Sequence, residues 1–319
     1  MKAAVSTSYG PPQVVRLQEV DKPTAGDDEL LIKVRATTVN RTDCGYRGGT
    51  PLLIRLFSGL RRPKATMLGT EFAGEVEAVG AEVTSHRPGD RVCGYCEGTF
   101  GAHAEYMTIR ANRLIARIPG DSSFEEAAPS TEGSHYALGM LRRAGIQEGD
   151  EVLIYGATGA IGSAAVQIAK SLGAHVTAVC GTAHVALVEG LGADRVVDYQ
   201  TTDFTKDEQK YNLVLDAVGK SSFRRCRRLL KPRGIYTSSD VGLFWHGPML
   251  ALITPLFRGR KLIFVVPRDD PEAIRYLVGL IESGEFKPVI DRRYPLDQIV
   301  EAYQYVETGQ KVGNVVITV

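Results

Sequence analysis

Hydrophobic and polar positions change rhythm twice along the chain. Through residue 110 the apolar positions fall in short runs, "QVVRLQEV", "ELLIKVRATTV", "EFAGEVEAVG" and "DRVCGYC", cut by turns such as "RPGD". Runs of this length bounded by Gly, Pro and Asp predict an all-β, barrel-like first part. From Asp121 the period lengthens: "DSSFEEAAPS" opens on N-capping residue types with Glu in the first turn, and "SHYALGMLRRAG" carries apolar residues at helical spacing. Two helices are predicted there. Beyond them the apolar strands "VLIY", "HVTAVC", "RVVDY", "NLVLDAVG", "GIYTSS" and "KLIFVV" alternate with helical stretches such as "AHVALVEGLGA" and "FRRCRRLLKPRG". That alternation predicts parallel βαβ units with helices on both faces, an α/β doubly wound sheet. The tail reads helix, short strand, helix, strand, which breaks the repeat and predicts packing against the first part. Residues 1–120 and 267–319 are thus expected to form one domain and residues 121–266 the other.

Composition narrows the class without changing this outline. A chain of 319 residues with 44% apolar side chains can fill two ordinary cores. Its 38 basic and 37 acidic residues leave a formal charge of +1, so no global field draws it to nucleic acid or anionic lipid. The longest uncharged apolar stretch, Val241 to Phe257, contains two prolines, two glycines and a histidine, unlike a membrane span. The opening "MKAAVSTSYGPPQVV" has no apolar core of the signal-peptide kind, and a soluble cytoplasmic protein is expected. Five scattered cysteines give no disulfide framework. Cys93 and Cys96 form a CxxC with neither a second Cys pair nor a His pair to complete a zinc site.

One stretch carries recognisable chemistry. In "VLIYGATGAIGSAAVQIAKSLGAHVTAVCGT" a strand runs into Ala157-x-Gly159-x-x-Gly162, then a helix without a capping side chain, then a second strand. A small residue opens the turn, Gly159 admits a pyrophosphate close to the backbone, and Gly162 lets the helix lie on the strand. Ala157, Thr158, Gly159, Ala160 and Ile161 are therefore expected to hold the phosphates of a dinucleotide at a helix N-terminus. NAD-binding chains usually end the second strand with Asp or Glu for the ribose hydroxyls. Here Cys180-Gly181-Thr182-Ala183-His184 follows, with no acid until Glu189. A 2'-phosphate is expected to meet no repulsion and to find Gly181, Thr182, His184 and Tyr199, so NADPH is expected over NADH. No Lys or Arg lies between Ser171 and Asp194, which makes this pocket lightly charged.

In the same order along the chain, "VNRTDCGYRGG", "LGTEFAGEVEAVG", "RPGDRVCGY", the glycine-turn stretch, "LGADRVVDY" and "LVLDAVG" resemble the medium-chain dehydrogenase/reductase superfamily. Within it the chain is most similar to the zinc-free quinone oxidoreductase branch, also called zeta-crystallin-like. The zinc-dependent alcohol dehydrogenases carry Cys at the position of Asn40, His at that of Thr70 and a further Cys close to Pro129. None of the three residues here is a good zinc ligand, and only nine residues, Gly94 to Ala102, stand where a cysteine-rich lobe would be. Glu71 remains beside the lost His position, but one carboxylate does not make a site. No metal is expected. The resemblance implies a GroES-like β-barrel domain around a Rossmann domain, a cytoplasmic homodimer, and reduction of quinones or activated C=C bonds by hydride transfer from NADPH.

It also implies a residue set. Asn40 matches the family's "VN" asparagine, a candidate for hydrogen-bonding cofactor or substrate, with a turn-stabilising role as the alternative. Tyr46 stands one position after the tyrosine of many relatives. Arg41 stands where many are apolar or Pro and could polarise a substrate oxygen. Asp43 and Arg47 read as a structural pair. For the cofactor, Ala217, Val218 and Gly219 match the "DAVG" strand end with Asp216 orienting the turn, Phe264 and Val266 end a later strand, and "GQKVGNVV" puts Lys311 and Asn314 where relatives have a "GKxV" segment with Lys in place of Asn314. A non-catalytic NADPH-binding or structural role on the same fold remains the second reading. Nucleic-acid binding by the basic run "RRCRRLLKPRG" is not expected.

Overall fold

The computed structural model describes residues 1–239, 259–265 and 270–319, and the chain divides into two compact units. The first comprises Met1–Glu132, Asp269–Ser283 and Lys287–Val319. It contains β1 (Lys2–Val5), β2 (Arg16–Glu19), β3 (Glu29–Val39), β4 (Glu71–Val79), β5 (Arg91–Tyr95), β6 (Tyr106–Arg110) and β7 (Leu114–Arg117). Strands β1 and β2 form a two-stranded sheet, and the strands of the tail, β14 (Ile290–Pro295) and β15 (Asn314–Thr318), join the others in a second sheet of order β14-β15-β3-β4-β5-β7, with β6 also paired to β3. Strand β3 is central because every second residue, Leu30, Ile32 and Val34, enters a core with Phe72, Val76, Val92 and Ile109. The tail belongs here because Val315 and Ile317 enter another core with Val39, Ile299, Tyr303 and Val306.

The change of texture at Asp121 precedes the unit boundary. Ser123 caps a one-turn helix, Phe124–Ala127, in a capping box with Glu126, and Ala127 and Ala128 bury against Ala36, Ala73, Cys93 and Val316. These contacts hold the chain in the first unit as far as Glu132. Glu132 itself begins the helix Glu132–Ala144.

The second unit, Gly133–Arg268 with Gly284–Phe286, is built on a parallel sheet of β8 (Glu151–Tyr155), β9 (His175–Cys180), β10 (Arg195–Asp198), β11 (Tyr211–Asp216), β12 (Leu230–Ser238) and β13 (Lys261–Ile263). Among the described residues the order is β10-β9-β8-β11-β12-β13. Every neighbouring pair is parallel. Numbered from β8, that is 3-2-1-4-5-6, the Rossmann order, whose switch point lies between β8 and β11. Its core strands are apolar on both faces, as helices on both sides require: Val152, Leu153 and Ile154 are fully buried. The predicted helix over "FRRCRRLLKPRG" is shorter than expected. It makes one α turn, Phe223–Cys226, and one 3-10 turn before Leu230 already enters β12, because Leu229 and Leu230 are drawn into the sheet's core.

Candidate active site

In the second unit the turn after β8 has the geometry its glycines predict. Gly156 takes φ of +82°, and its N–H and that of Ala157 both donate to the carbonyl of Val179 on β9. A Cβ on Gly162 would lie 2.1 Å from the carbonyl oxygen of Gly156, so only glycine lets the helix Ala160–Ser171 sit this close to the turn. A Cβ on Gly159 would meet nothing nearer than 3.7 Å, which leaves that face of the turn open. Gly159 is the N-cap and offers no side chain to the first-turn N–H groups. An open backbone face beside uncapped N–H groups at the switch point fits a pyrophosphate. Thr158, Ala160 and Ile161 are half-buried around it, while Ala157 is fully buried.

The end of β11 is organised by Asp216. Its carboxylate accepts from the N–H of Val218 (3.1 Å), Gly219 (2.8 Å) and Ser221 (2.8 Å), and from the Tyr236 hydroxyl (3.1 Å). The turn Ala217–Gly219 is thereby fixed with Val218 exposed. Phe264 follows β13 half-buried, and Val266 lies outside the described residues.

At the end of β9 the structure corrects one expectation. Parallel pairing of β9 with β10 sets Asp198 beside Cys180, and the Thr182 hydroxyl donates to Asp198 (2.5 Å) and to the Gln200 side chain (2.8 Å). The Thr182 N–H is also taken by Gln200, at 3.0 Å. The groups read as a pocket free of acid therefore face a carboxylate, delivered by the neighbouring strand rather than by β9. Tyr199 is exposed beside Gly181, whose added Cβ would lie 3.3 Å from the Tyr199 hydroxyl.

In the first unit, Asn40 gathers a buried polar cluster. It ends β3 and caps the helix Arg41–Gly48: its Oδ1 accepts from the Asp43 N–H (2.9 Å), and Asp43 returns the bond to the Asn40 N–H (3.2 Å). Its Nδ2 donates to the Thr70 hydroxyl (2.6 Å) and to the Glu132 carboxyl. Both amide protons are thus committed inside the protein, and Asn40 has none left for a ligand. Thr70 donates onward to Glu132 at 3.1 Å, and the half-buried Thr42 hydroxyl lies 2.5 Å from the other Glu132 oxygen.

A second carboxyl lies alongside. Glu71, at the start of β4, accepts from the Thr38 hydroxyl (2.5 Å), the Thr131 hydroxyl (3.0 Å) and the backbone N–H of Glu132 (2.6 Å). Burial pushes the Glu71 carboxyl up from its ordinary range, and burial together with the charge of Glu71 pushes Glu132 well above it. Asp43, fully buried, is raised by desolvation to about 8 although the Gly69 N–H also donates to it. Behind it His103 bonds the Thr38 carbonyl at 2.7 Å and lies 3.3 Å from the Tyr303 hydroxyl; burial lowers its imidazole to about 4.

The remaining named residues sit around this cluster. Arg41 is exposed on the first turn of the helix, and Tyr46 is half-buried with its ring edge-on to Phe100, centroids 4.6 Å apart. Lys311 donates to the Gly313 carbonyl at 2.5 Å, and burial lowers its ammonium while Glu132 and Glu71 act to raise it. Asn314 is 6% exposed and its amide donates to the Val289 carbonyl, which fixes the start of β15.

Zinc does not fit this cluster. Its donors are an amide turned nitrogen-first, hydroxyls and carboxyls, with no thiolate or imidazole at the lost ligand positions. Burial pushes the nearby thiols of Cys93 and Cys96 up, Cys93 to about 12, so both stay protonated at neutral pH. Among the described residues no group of His, Cys, Asp and Glu is arranged to hold a metal. Sequence reasoning missed Glu132, although a Glu three residues past Pro129 was visible, and it treated Glu71 as isolated because the partner carboxyl comes from a distant segment.

Comparison with known proteins agrees with the two-part architecture. Residues 26–120 match the model of the alcohol dehydrogenase GroES-like domain, and residues 191–317 match that of the zinc-binding dehydrogenases. The 2-methylene-furan-3-one reductase of Solanum lycopersicum is 33% identical over 99% of this chain and 79% of its own length. The chain belongs to the medium-chain dehydrogenase/reductase superfamily. A second relative, the chloroplastic quinone-oxidoreductase homolog of Spinacia oleracea, is 32% identical over 94% of this chain and 92% of that one. The solved quinone oxidoreductase of Coxiella burnetii superposes with a TM-score of 0.89 at 27% identity, covering 100% of this chain and 99% of the other. The chain is accordingly a medium-chain oxidoreductase with a GroES-like and a Rossmann-like part, and the family implies a nicotinamide cofactor.

Proposed function

We propose that this chain is a zinc-free reductase of quinones or activated C=C bonds such as enones and 2-alkenals, with NADPH as its cofactor. The observation that carries the reading is the replacement of a metal-binding donor set by the closed Asn40–Thr70–Glu132 hydrogen-bond cluster. A cluster that holds protons instead of a metal suits acceptors that are already electrophilic, because a conjugated carbonyl or quinone needs no Lewis acid to take up hydride. The relatives' names point the same way, since a 2-methylene-3-one carries a C=C bond conjugated to a ketone.

The turn Ala157–Ile161 with Gly162 would bind the pyrophosphate, and the turn Ala217–Gly219, set by Asp216, the nicotinamide ribose. Bound there, the reduced nicotinamide supplies the hydride. Thr182, His184 and Tyr199 would receive the 2'-phosphate once Thr182 releases Asp198. On the first unit, Arg41 and Tyr46 offer a charge and a hydroxyl to the acceptor oxygen, where they would stabilise the enolate or hydroquinone anion that hydride addition creates. Asn40 holds the cluster together.

The test is loss of NADPH absorbance against a panel of quinones, enones, 2-alkenals and simple aldehydes, with and without a chelator. The expected result is turnover of quinones or conjugated carbonyls unaffected by the chelator. NADPH binding without turnover of any acceptor favours a non-catalytic role, and chelator-sensitive alcohol turnover refutes the zinc-free reading.

A further inference from the structure

Reduction of a quinone or an enone consumes a proton for each hydride, and this chain holds a group suited to deliver one. Glu132 is 7% exposed, yet its two oxygens make three hydrogen bonds of unequal kind. One oxygen receives the Asn40 amide and the Thr70 hydroxyl, and these two side chains are themselves bonded, so that oxygen is locked. Among the described residues the other oxygen meets only the Thr42 hydroxyl, 2.5 Å away. Thr42 is half-buried, whereas Glu132 and Asn40 are buried, so the Thr42 hydroxyl is the least enclosed member of the cluster. A hydroxyl both accepts and donates, and can take a proton from an acid on one side while giving its own on the other.

We propose that Glu132 is the proton reservoir of this reductase and that it delivers its proton through the Thr42 hydroxyl to the reduced acceptor. The inference rests on the reductase reading. In the resting protein the acid O–H of Glu132 donates to Thr42 Oγ1. When hydride and its electron pair pass from the reduced nicotinamide to the β-carbon of an enone or to a carbonyl oxygen of a quinone, the nicotinamide is oxidised and the acceptor becomes an enolate or a hydroquinone anion. That anion takes the Thr42 hydroxyl proton, Thr42 takes the Glu132 proton, and Glu132 is left a carboxylate. Solvent returns the proton by the same path, so atoms and charge balance over the cycle.

The surroundings favour the protonated resting state. Glu71 faces Glu132 from β4, Asp43 from the helix Arg41–Gly48 and Glu97 from the segment after β5, and all three raise its proton affinity together with burial. The Cys96 thiol feels its charge in turn. Lys311, preceding β15, is a cation whose ammonium interacts with Glu132, and burial weakens that ammonium. Three carboxyls confined around one another cannot all ionise, and Glu132 is the one with a hydroxyl leading outward.

Glu132→Gln keeps the shape and an acceptor oxygen while removing the proton. Its expected kcat for the best acceptor falls roughly 100-fold or more, the scale of lost general-acid catalysis, with the dissociation constant of NADPH unchanged. Wild-type kcat should decline at high pH as Glu132 ionises, and this limb should vanish in Glu132→Gln. Thr42→Val should behave like Glu132→Gln, with Thr42→Ser restoring turnover. Infrared spectra supply a readout free of turnover: the protonated-carboxyl band of the wild-type protein at neutral pH should lose intensity in Glu132→Gln. Wild-type kcat and pH profile in Glu132→Gln, or an undiminished band, overturns the proposal. A protein that reduces no acceptor but loses the band in Glu132→Gln refutes the reductase reading while supporting the proton on Glu132.

Discussion

Asp43→Asn should change how stability depends on pH, and the structure sets the window. Asp43 is fully buried, and desolvation raises its carboxyl from 3.8 to about 8. Between those values the folded chain keeps a proton that the unfolded chain has lost. The contribution of Asp43 is therefore complete below pH 3.8 and drains away as pH rises toward 8, by about 1.4 kcal/mol per pH unit. His103, whose ring nitrogen lies 3.8 Å from the Asp43 carboxyl, works in the opposite direction. Burial lowers it from 6.5 to about 4, so the unfolded chain holds the extra proton and stability climbs with pH across that interval. The two slopes offset one another up to pH 6.5; from there to pH 8 Asp43 acts without His103, and wild type should lose on the order of 2 kcal/mol on its account. Glu71 and Glu132 slope the same way as Asp43, but they and His103 are present in both proteins, so all three drop out of the difference. In Asp43→Asn the amide nitrogen faces a backbone N–H, a cost of about 1–3 kcal/mol that does not vary with pH. Urea melts followed by circular dichroism at half-unit steps should thus show Asp43→Asn gaining on wild type by about 1.4 kcal/mol per pH unit, overtaking it below pH 6.5 and drawing further ahead up to pH 8. A constant gap would mean that Asp43 is already ionised in the folded protein, and the argument from its burial would fail.

Other substitutions probe the remaining features. Asp198→Asn removes the carboxylate beside Thr182 and should tighten NADPH about fivefold, the scale of one screened charge contact, while leaving NADH within twofold; equal effects on both, by fluorescence titration, would separate Thr182 from the 2'-phosphate. Gly162→Ala forces a Cβ to within 2.1 Å of the Gly156 carbonyl oxygen, and should weaken both dinucleotides at least tenfold and cost about 1–3 kcal/mol in a urea melt; wild-type binding would show that the turn can yield. Arg47 is 2% exposed, bonds the Gly10 carbonyl and Glu307 and lies over the Tyr303 ring. Arg47→Ala should destabilise by about 2 kcal/mol, less than a fully buried pair because Glu307 is partly exposed; an unchanged melt would make the pair incidental.

The legible parts of the molecule are those whose signal is local. The apolar strands of the second unit read directly because a parallel sheet buries both faces, and the glycine turn read directly because Gly156 and Gly162 answer steric demands within a few residues of themselves. Contacts created by the pairing of distant segments were not legible. Asp198 ends β10 and looks unrelated to Thr182 until the parallel register sets it against Cys180. Glu132 looks like an ordinary first-turn acid, favourable to a helix N-terminus, until residues 92 and 62 positions away, Asn40 and Thr70, bond to it. The bond from the Asn314 amide to the Val289 carbonyl is of the same kind, a contact between segments that the sequence gives no reason to expect.

On the proposed zinc-free reading, the cluster leaves no void where metal ligands would stand. Replacing thiolate and imidazole by Asn40 and Thr70 removes negative charge and a cation together, but Glu71 and Glu132 would then be buried carboxylates without compensation, a costly arrangement. Hydroxyl and amide donors from Thr38, Thr70, Thr131 and Asn40 supply part of that compensation. Protons supply the rest, since a neutral acid is cheaper to bury than its anion. The consequence is directional: restoring Cys at Asn40 and His at Thr70 would remove two donors to Glu132 at once. It would strip the carboxyl that the surviving threonines alone cannot satisfy, so a metal site cannot be rebuilt here by two substitutions without also changing Glu132.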